Sequence, residues 1–149
     1  MIQREINILM VEEDPDEVNA LKDALTVGQI ITVNIEQLED GEQAMAYLQQ
    51  EYPYIDAPSP DLIFLNLNLP GMTGAELLEE IKQSRILANI PVIVLTTSIE
   101  QGDLVKNFGP ERNCFCFKKP TTCEQWLLVL QCIEDVWHTF LKLRPEFTK

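Results

Sequence analysis

Leu62-Ile63-Phe64-Leu65-Asn66-Leu67-Asn68-Leu69-Pro70-Gly71 is a short apolar run that stops at a Pro-Gly turn. Such a run reads as a buried strand, with Asn66 at its carboxyl end. In an open parallel sheet, that edge is where sites are built. Asn66 is therefore the first residue to ask about.

Strand-like and helix-like segments alternate on both sides of this run. Ile6 to Val11 is an apolar first strand. Asp14 caps the helix that follows, with Pro15 at its first position, Glu17 at its third, and Val18, Leu21, Ala24 and Leu25 as its inward stripe. Ile31 to Leu38 alternates as an edge or half-exposed strand. Asp40-Gly41 is a turn, and a second helix is expected from Glu42 to Glu51. Tyr52 to Pro60 holds three prolines and reads as a loop before the third strand, Leu62 to Asn66.

Thr73-Gly74-Ala75-Glu76 is a capping box for a third helix carrying Leu77, Leu78 and Ile81. Pro91 to Thr96 is apolar throughout and predicts a central strand. Ser98 with Gln101 caps a fourth helix, and Cys114 to Lys118 is the fifth strand. Thr121 with Glu124 opens a long fifth helix that reaches about Phe140. Five strands alternating with five helices predict a doubly wound parallel α/β sheet with helices on both faces. The expected strand order is 2-1-3-4-5, the flavodoxin-like arrangement. No linker or internal repeat interrupts residues 1–149, which are read as one domain.

Composition narrows the function. The 149 residues carry a formal net charge of −13, which argues against nucleic-acid binding and fits protein partners. No run of about 18 apolar residues is present, so no membrane span is expected. Met1-Ile2-Gln3-Arg4-Glu5 leads straight into a strand and lacks the apolar segment of a signal peptide, so the expected location is cytoplasmic. Cys114, Cys116, Cys123 and Cys132 lack metal-ligand spacing, and His138 is the one histidine. They read as reduced thiols packed as small hydrophobes.

Parallel strands gather their carboxyl ends on one edge. Glu12 and Glu13 follow the first strand, Asn66 ends the third, Thr96 the fourth, and Lys119 follows the fifth, before Pro120. Acids with an aspartate would hold a hard cation such as Mg²⁺ through oxygen. A lysine and a hydroxyl would bind a phosphoryl group.

In this order, these pieces resemble the receiver domains of two-component response regulators. The matching segments are Ile8 to Asp14, Asp40 to Ala44, Asp61 to Pro70, Pro91 to Ser98 and Phe117 to Pro120. The segment Asn113 to Pro120, the proline-rich loop and the extended last helix are most similar to the small single-domain regulators paired with cyanobacterial phytochromes.

The resemblance implies a sensor histidine kinase, such as a phytochrome, that phosphorylates position 66. It implies Mg²⁺ near Glu12, held mainly by Glu13, the side chain at 66 and the backbone carbonyl of Asn68. It also implies that Lys119 contacts the phosphoryl group. Thr96 would turn inward to bond that group and reposition the face formed by the fourth helix, fifth strand and fifth helix.

Three residues depart from the family. Asn66 stands in place of the acceptor aspartate, and a carboxamide is neutral and a poor nucleophile. Glu13 replaces an aspartate and places its carboxylate one methylene further out. Cys116 falls where an aromatic switch residue is usual, with Phe115 and Phe117 expected on the opposite face. Mg²⁺ binding is accordingly expected to be weak. The chain reads either as a pseudo-receiver held in one state or as a locked variant of a switchable receiver.

Trp126, Leu130, Ile133 and Trp137 form one stripe, which Val129, Val136, Phe140 and Leu143 extend beyond what one sheet-facing side requires; together they predict a homodimer through the fourth helix, fifth strand and fifth helix. Two other functional classes fare worse. Asn66 and Asn68 stand where haloacid-dehalogenase-type phosphatases carry two aspartates, and without the nucleophile the chain is not expected to be an enzyme. A flavodoxin-like cofactor binder needs a phosphate loop where Glu12-Glu13-Asp14 would repel phosphate.

Overall fold

The computed structural model describes residues 6–28, 33–97, 109 and 112–131. Its elements are β1 (Ile6–Val11), α1 (Pro15–Gly28), β2 (Val33–Leu38), α2 (Gly41–Leu48), β3 (Leu62–Asn66), α3 (Gly74–Gln83), β4 (Val92–Thr96) and β5 (Cys114–Lys118). A last helix is described over residues 123–131. The strands form one sheet in the order β2-β1-β3-β4-β5, with every neighbouring pair parallel. This is the expected flavodoxin-like winding. The predicted fourth helix and the far end of the fifth lie outside the described residues.

By packing, the chain divides into two compact units: residues 1–18 with 31–119, and residues 19–30 with 120–149. The first unit holds all five strands, α2 and α3. Its main core lies on one sheet face. Leu9, Val11, Ile63, Leu65, Val92, Val94 and Cys114 pack there with Ala44, Met45 and Leu48 of α2 and Leu77, Leu78 and Ile81 of α3. Alternate residues Ile8, Met10, Phe64, Ile93 and Leu95 are also buried and point the other way. In the second unit, Leu21, Ala24, Trp126, Val129 and Leu130 are buried.

Helix ends follow their caps. Asp14 Oδ1 accepts from the Asp16 amide at 2.9 Å, and Asp40 Oδ1 accepts from the Gln43 amide at 2.7 Å. Thr73 and Glu76 form the predicted capping box at α3. Two boundaries differ from expectation. The second helix stops at Leu48 instead of Glu51, because Gln50 turns left-handed (φ +57°). The Glu51 amide then reaches back to the Ala46 carbonyl at 2.9 Å, a Schellman closure built without glycine. The last helix is capped one residue later than expected: Thr122 Oγ1, not Thr121, accepts from the Gln125 amide at 3.1 Å.

Candidate functional site

The register of β1 against β3 builds the site. Met10 lies opposite Phe64 and Val11 opposite Leu65. Two residues beyond the Met10 pair, Glu12 and Asn66 come opposite each other on the same face. The Glu12 amide still bonds the Leu38 carbonyl at 2.9 Å, so strand alternation holds through this residue. Glu12 is therefore turned in and 1% exposed, while Glu13 faces solvent. Of the two acids, Glu12 is thus the one bonded into the strand-end cluster, and Glu13 stands on its solvent side.

A buried carboxylate needs partners, and Glu12 has several. Lys119 Nζ lies 2.9 Å from Oε1. Asn66 Nδ2 donates to Oε2 at 3.1 Å, and the Asp14 amide donates to the same oxygen at 3.2 Å. Oε1 has no aligned hydrogen bond, so its compensation is the charge of Lys119. Lys119 also approaches Glu17 Oε1, at 3.9 Å. Partial burial raises the Glu17 pKa; Lys119 pulls it down, and neighbouring Glu12, Asp14 and Asp16 push it up.

Asn66 is 5% exposed and fully engaged. Its Nδ2 donates to Glu12 Oε2 and to the Asn68 carbonyl, both at 3.1 Å. Its Oδ1 accepts from the Asn68 amide at 3.1 Å, a side-chain turn that closes the chain just after β3. Thr96 is buried at the end of β4, and its carbonyl accepts from the Lys119 amide at 2.6 Å. Its hydroxyl bonds Cys116, opposing the rise in thiol pKa that partial burial causes. Glu12, Asn66, Asn68, Thr96 and Lys119 thus all belong to one strand-end cluster in the first unit.

Several supporting residues were not anticipated. Gln37 Nε2 donates to the Glu12 carbonyl at 2.8 Å. Glu42 Oε1 accepts from the Met72 amide at 3.0 Å and so ties the loop after β3 to α2. Gly74 starts α3 directly against the exit of β3; a Cβ there would lie 2.5 Å from the Asn66 carbonyl oxygen. Nothing local in the sequence marks Gln37 or Glu42.

The dimer stripe is placed differently from expectation. Trp126 and Leu130 are buried within the chain, 1% and 4% exposed, so they present no face to a partner. Leu128 is 63% exposed instead. Ile133 and Trp137 lie outside the described residues.

Residues 8–126 match the family model of the response regulator receiver domain. The chain belongs to that family. Response regulator Rcp1 of Synechocystis sp. is 39% identical over 130 residues, 87% of each chain. The phosphorylated cyanobacterial phytochrome response regulator RcpA superposes with a TM-score of 0.77 at 35% identity, over 92% of this chain and 96% of its own. The Mn²⁺-bound form of Rcp1 gives 0.75 at 37% identity, over 89% and 94%.

Receiver membership accounts for the strand-end cluster. Among the described residues, no helix is long and apolar enough to cross a membrane. Nor do three or more His, Cys, Asp or Glu side chains gather as a metal cluster. The oxygens at hand for a cation are instead mixed: the Glu12 carboxylate, Asn66 Oδ1 and the Asn68 carbonyl.

Proposed function

We propose that this chain is a stand-alone, single-domain receiver of a two-component pathway that signals by binding other proteins and is locked against phosphotransfer by Asn66. The carrying observation is the Asn66 carboxamide, buried at the end of β3 and bonded to Glu12 and Asn68. An amide nitrogen held this way offers no carboxylate to a phosphoryl donor. The kinship to Rcp1 and RcpA supports a sensor histidine kinase, specifically a phytochrome, as partner. The −13 charge supports a protein partner rather than nucleic acid. The reading is of a cytoplasmic binding module without enzymatic activity.

Mg²⁺ fits the oxygen set of Glu12, Asn66 and Asn68, with exposed Glu13 beside it, and when bound would supply charge neutralisation. Binding is weak in this reading, because Asn66 brings no negative charge. Homodimerisation is retained through the last helix, with Leu128 as the exposed apolar contact among described residues. Sedimentation at tens of micromolar tests it, and a concentration-independent monomer rules it out.

A second reading is favoured by Lys119, which stands at the site as a phosphoryl-binding lysine would. With aspartate at position 66, the domain would be a switchable receiver phosphorylated there by a histidine kinase. Incubation with acetyl phosphate and Mg²⁺, followed by Phos-tag gels and intact mass, separates the readings. Only Asn66→Asp is expected to gain a labile phosphate. Labile phosphate on the unmodified chain at position 66 defeats the lock, and modification of neither protein makes the chain a scaffold with a drifted site.

A further inference from the structure

The orientation of the Asn66 amide is fixed by three partners of opposite kinds. Glu12 Oε2 and the Asn68 carbonyl are acceptors and face Nδ2; the Asn68 amide is a donor and faces Oδ1. Turning the amide by 180° would set oxygen against two oxygens and nitrogen against an N–H. The two acceptors that Nδ2 joins are a carboxylate oxygen and a backbone carbonyl, the oxygen types a hard cation takes. The amide thus places a positively polarised NH₂ group between two oxygens of the kind that would hold a divalent ion.

We infer that the Asn66 NH₂ group acts as a built-in substitute for the cation, holding Glu12 and the chain after β3 together and competing with Mg²⁺ for the same oxygens. This deepens the reading of a receiver locked at position 66 and rests on it. A cation can enter only if the amide turns and gives up its bonds to Glu12, Asn68 carbonyl and Asn68 amide. Lys119 already offsets the charge on the other oxygen of Glu12 at 2.9 Å, so the carboxylate is compensated in charge without a metal. The post-strand chain is thereby ordered without one. Weak Mg²⁺ affinity is then a consequence of competition as well as of missing charge.

Two variants separate these causes. Asn66→Asp adds a charge and removes the NH₂ group, so tighter Mg²⁺ binding there supports either cause. Asn66→Ala adds no charge and removes one oxygen ligand, yet frees Glu12 Oε2 and the Asn68 carbonyl. Magnesium titration of the full chain by calorimetry is expected to give Asn66→Ala an affinity about tenfold above the unmodified chain, the worth of two modest hydrogen bonds less one ligand. Equal or weaker binding by Asn66→Ala overturns the substitution.

Should that variant not fold, ¹⁵N-asparagine spectra of the unmodified chain decide. The Asn66 side-chain protons are expected to exchange slowly with solvent without Mg²⁺ and to lose that protection at saturating Mg²⁺. Free exchange without Mg²⁺, or protection that persists while the Asn68 backbone amide shifts with Mg²⁺, overturns it. Phosphate uptake by the unmodified chain would defeat the lock separately, since neither readout here depends on phosphorylation.

Discussion

Two buried charges stand at opposite ends of the same sheet, Glu12 beyond the carboxyl end of β1 and Lys82 beside the amino ends of β4 and β5. Lys82 is 7% exposed, and its Nζ donates to the carbonyls of Ala88, Ile90 and Asn113 at 3.0, 2.9 and 3.3 Å. All three partners are backbone. Three of the partners of Glu12 are different in kind: two are side chains, Lys119 and Asn66, and one is the Asp14 amide in a turn. Side chains can rotate or be exchanged at low cost, whereas carbonyls at strand entrances move only with the fold. The same need to compensate a buried charge thus yields a fixture at one end and an adjustable site at the other. Helix α3 connects them, with Gly74 under the exit of β3 and Lys82 at its last turn.

The contrast can be broken most directly at Lys82. Lys82→Met should leave three carbonyls without their donor and cost about 3 kcal/mol in urea unfolding. A cost near zero would mean that the fixture is not one. Burial also lowers the Lys82 pKa from 10.5 to about 8, with opposing and reinforcing effects from Cys114 and Arg112. Between those values the unfolded chain holds more protons than the folded one, so this contribution makes stability rise with pH. Comparing the unmodified chain with Lys82→Met at pH 7.5 and 9.5 should isolate roughly 2 kcal/mol of that rise.

Gly74→Ala tests how rigidly α3 supports the site. The added methyl meets backbone at Asn66 and Leu67, which cannot step aside, so the overpacking should exceed the gain in helix propensity. A net loss of about 2 kcal/mol by thermal unfolding is expected. Asn66→Asp sharpens the other side of the comparison. It sets a second carboxylate near Glu12 and should cost about 1–2 kcal/mol without divalent ion, recovered when Mg²⁺ is added. A loss that Mg²⁺ leaves unchanged would make the Glu12 end as fixed as the Lys82 end.

The smallest effect belongs to a position in neither network. Thr73→Ala should cost about 1 kcal/mol through the lost cap. Hydrogen bonding to Thr73 holds the Glu76 carboxyl below its usual pKa. The contribution of that ionised group is present at neutral pH and fades as pH falls through the lowered value; Thr73→Ala keeps the backbone donor, so the acid-unfolding midpoint should report only the loss of the smaller, hydroxyl part.

Much of this was legible in the sequence because strands buried on both faces leave unbroken apolar runs. β1 and β3 begin and end where their runs do, and so does the half-exposed edge strand β5. β4 starts one residue after Pro91, which lacks an N–H for the ladder, although its carbonyl still pairs with the Ile63 amide at 3.0 Å. The end of α2 was hidden because Gln50, not glycine, takes the left-handed position. Asn66, Thr96 and Lys119 could be placed because each follows directly from a strand end. The choice between Glu12 and Glu13 could not be made from adjacency alone, since it depends on how far pairing with β2 runs past Val11. The burial of Trp126 and Leu130 within the chain is not legible, because periodicity marks an apolar face without saying what covers it.

The amide at Asn66 has a consequence for timing. An acyl phosphate on aspartate is a clock, set when it forms and cleared when it hydrolyses. A carboxamide bonded into Glu12 and Asn68 keeps no such record. On the proposed lock, a chain that carries it would convey dosage rather than history: the number of copies present, set against the partners they occupy.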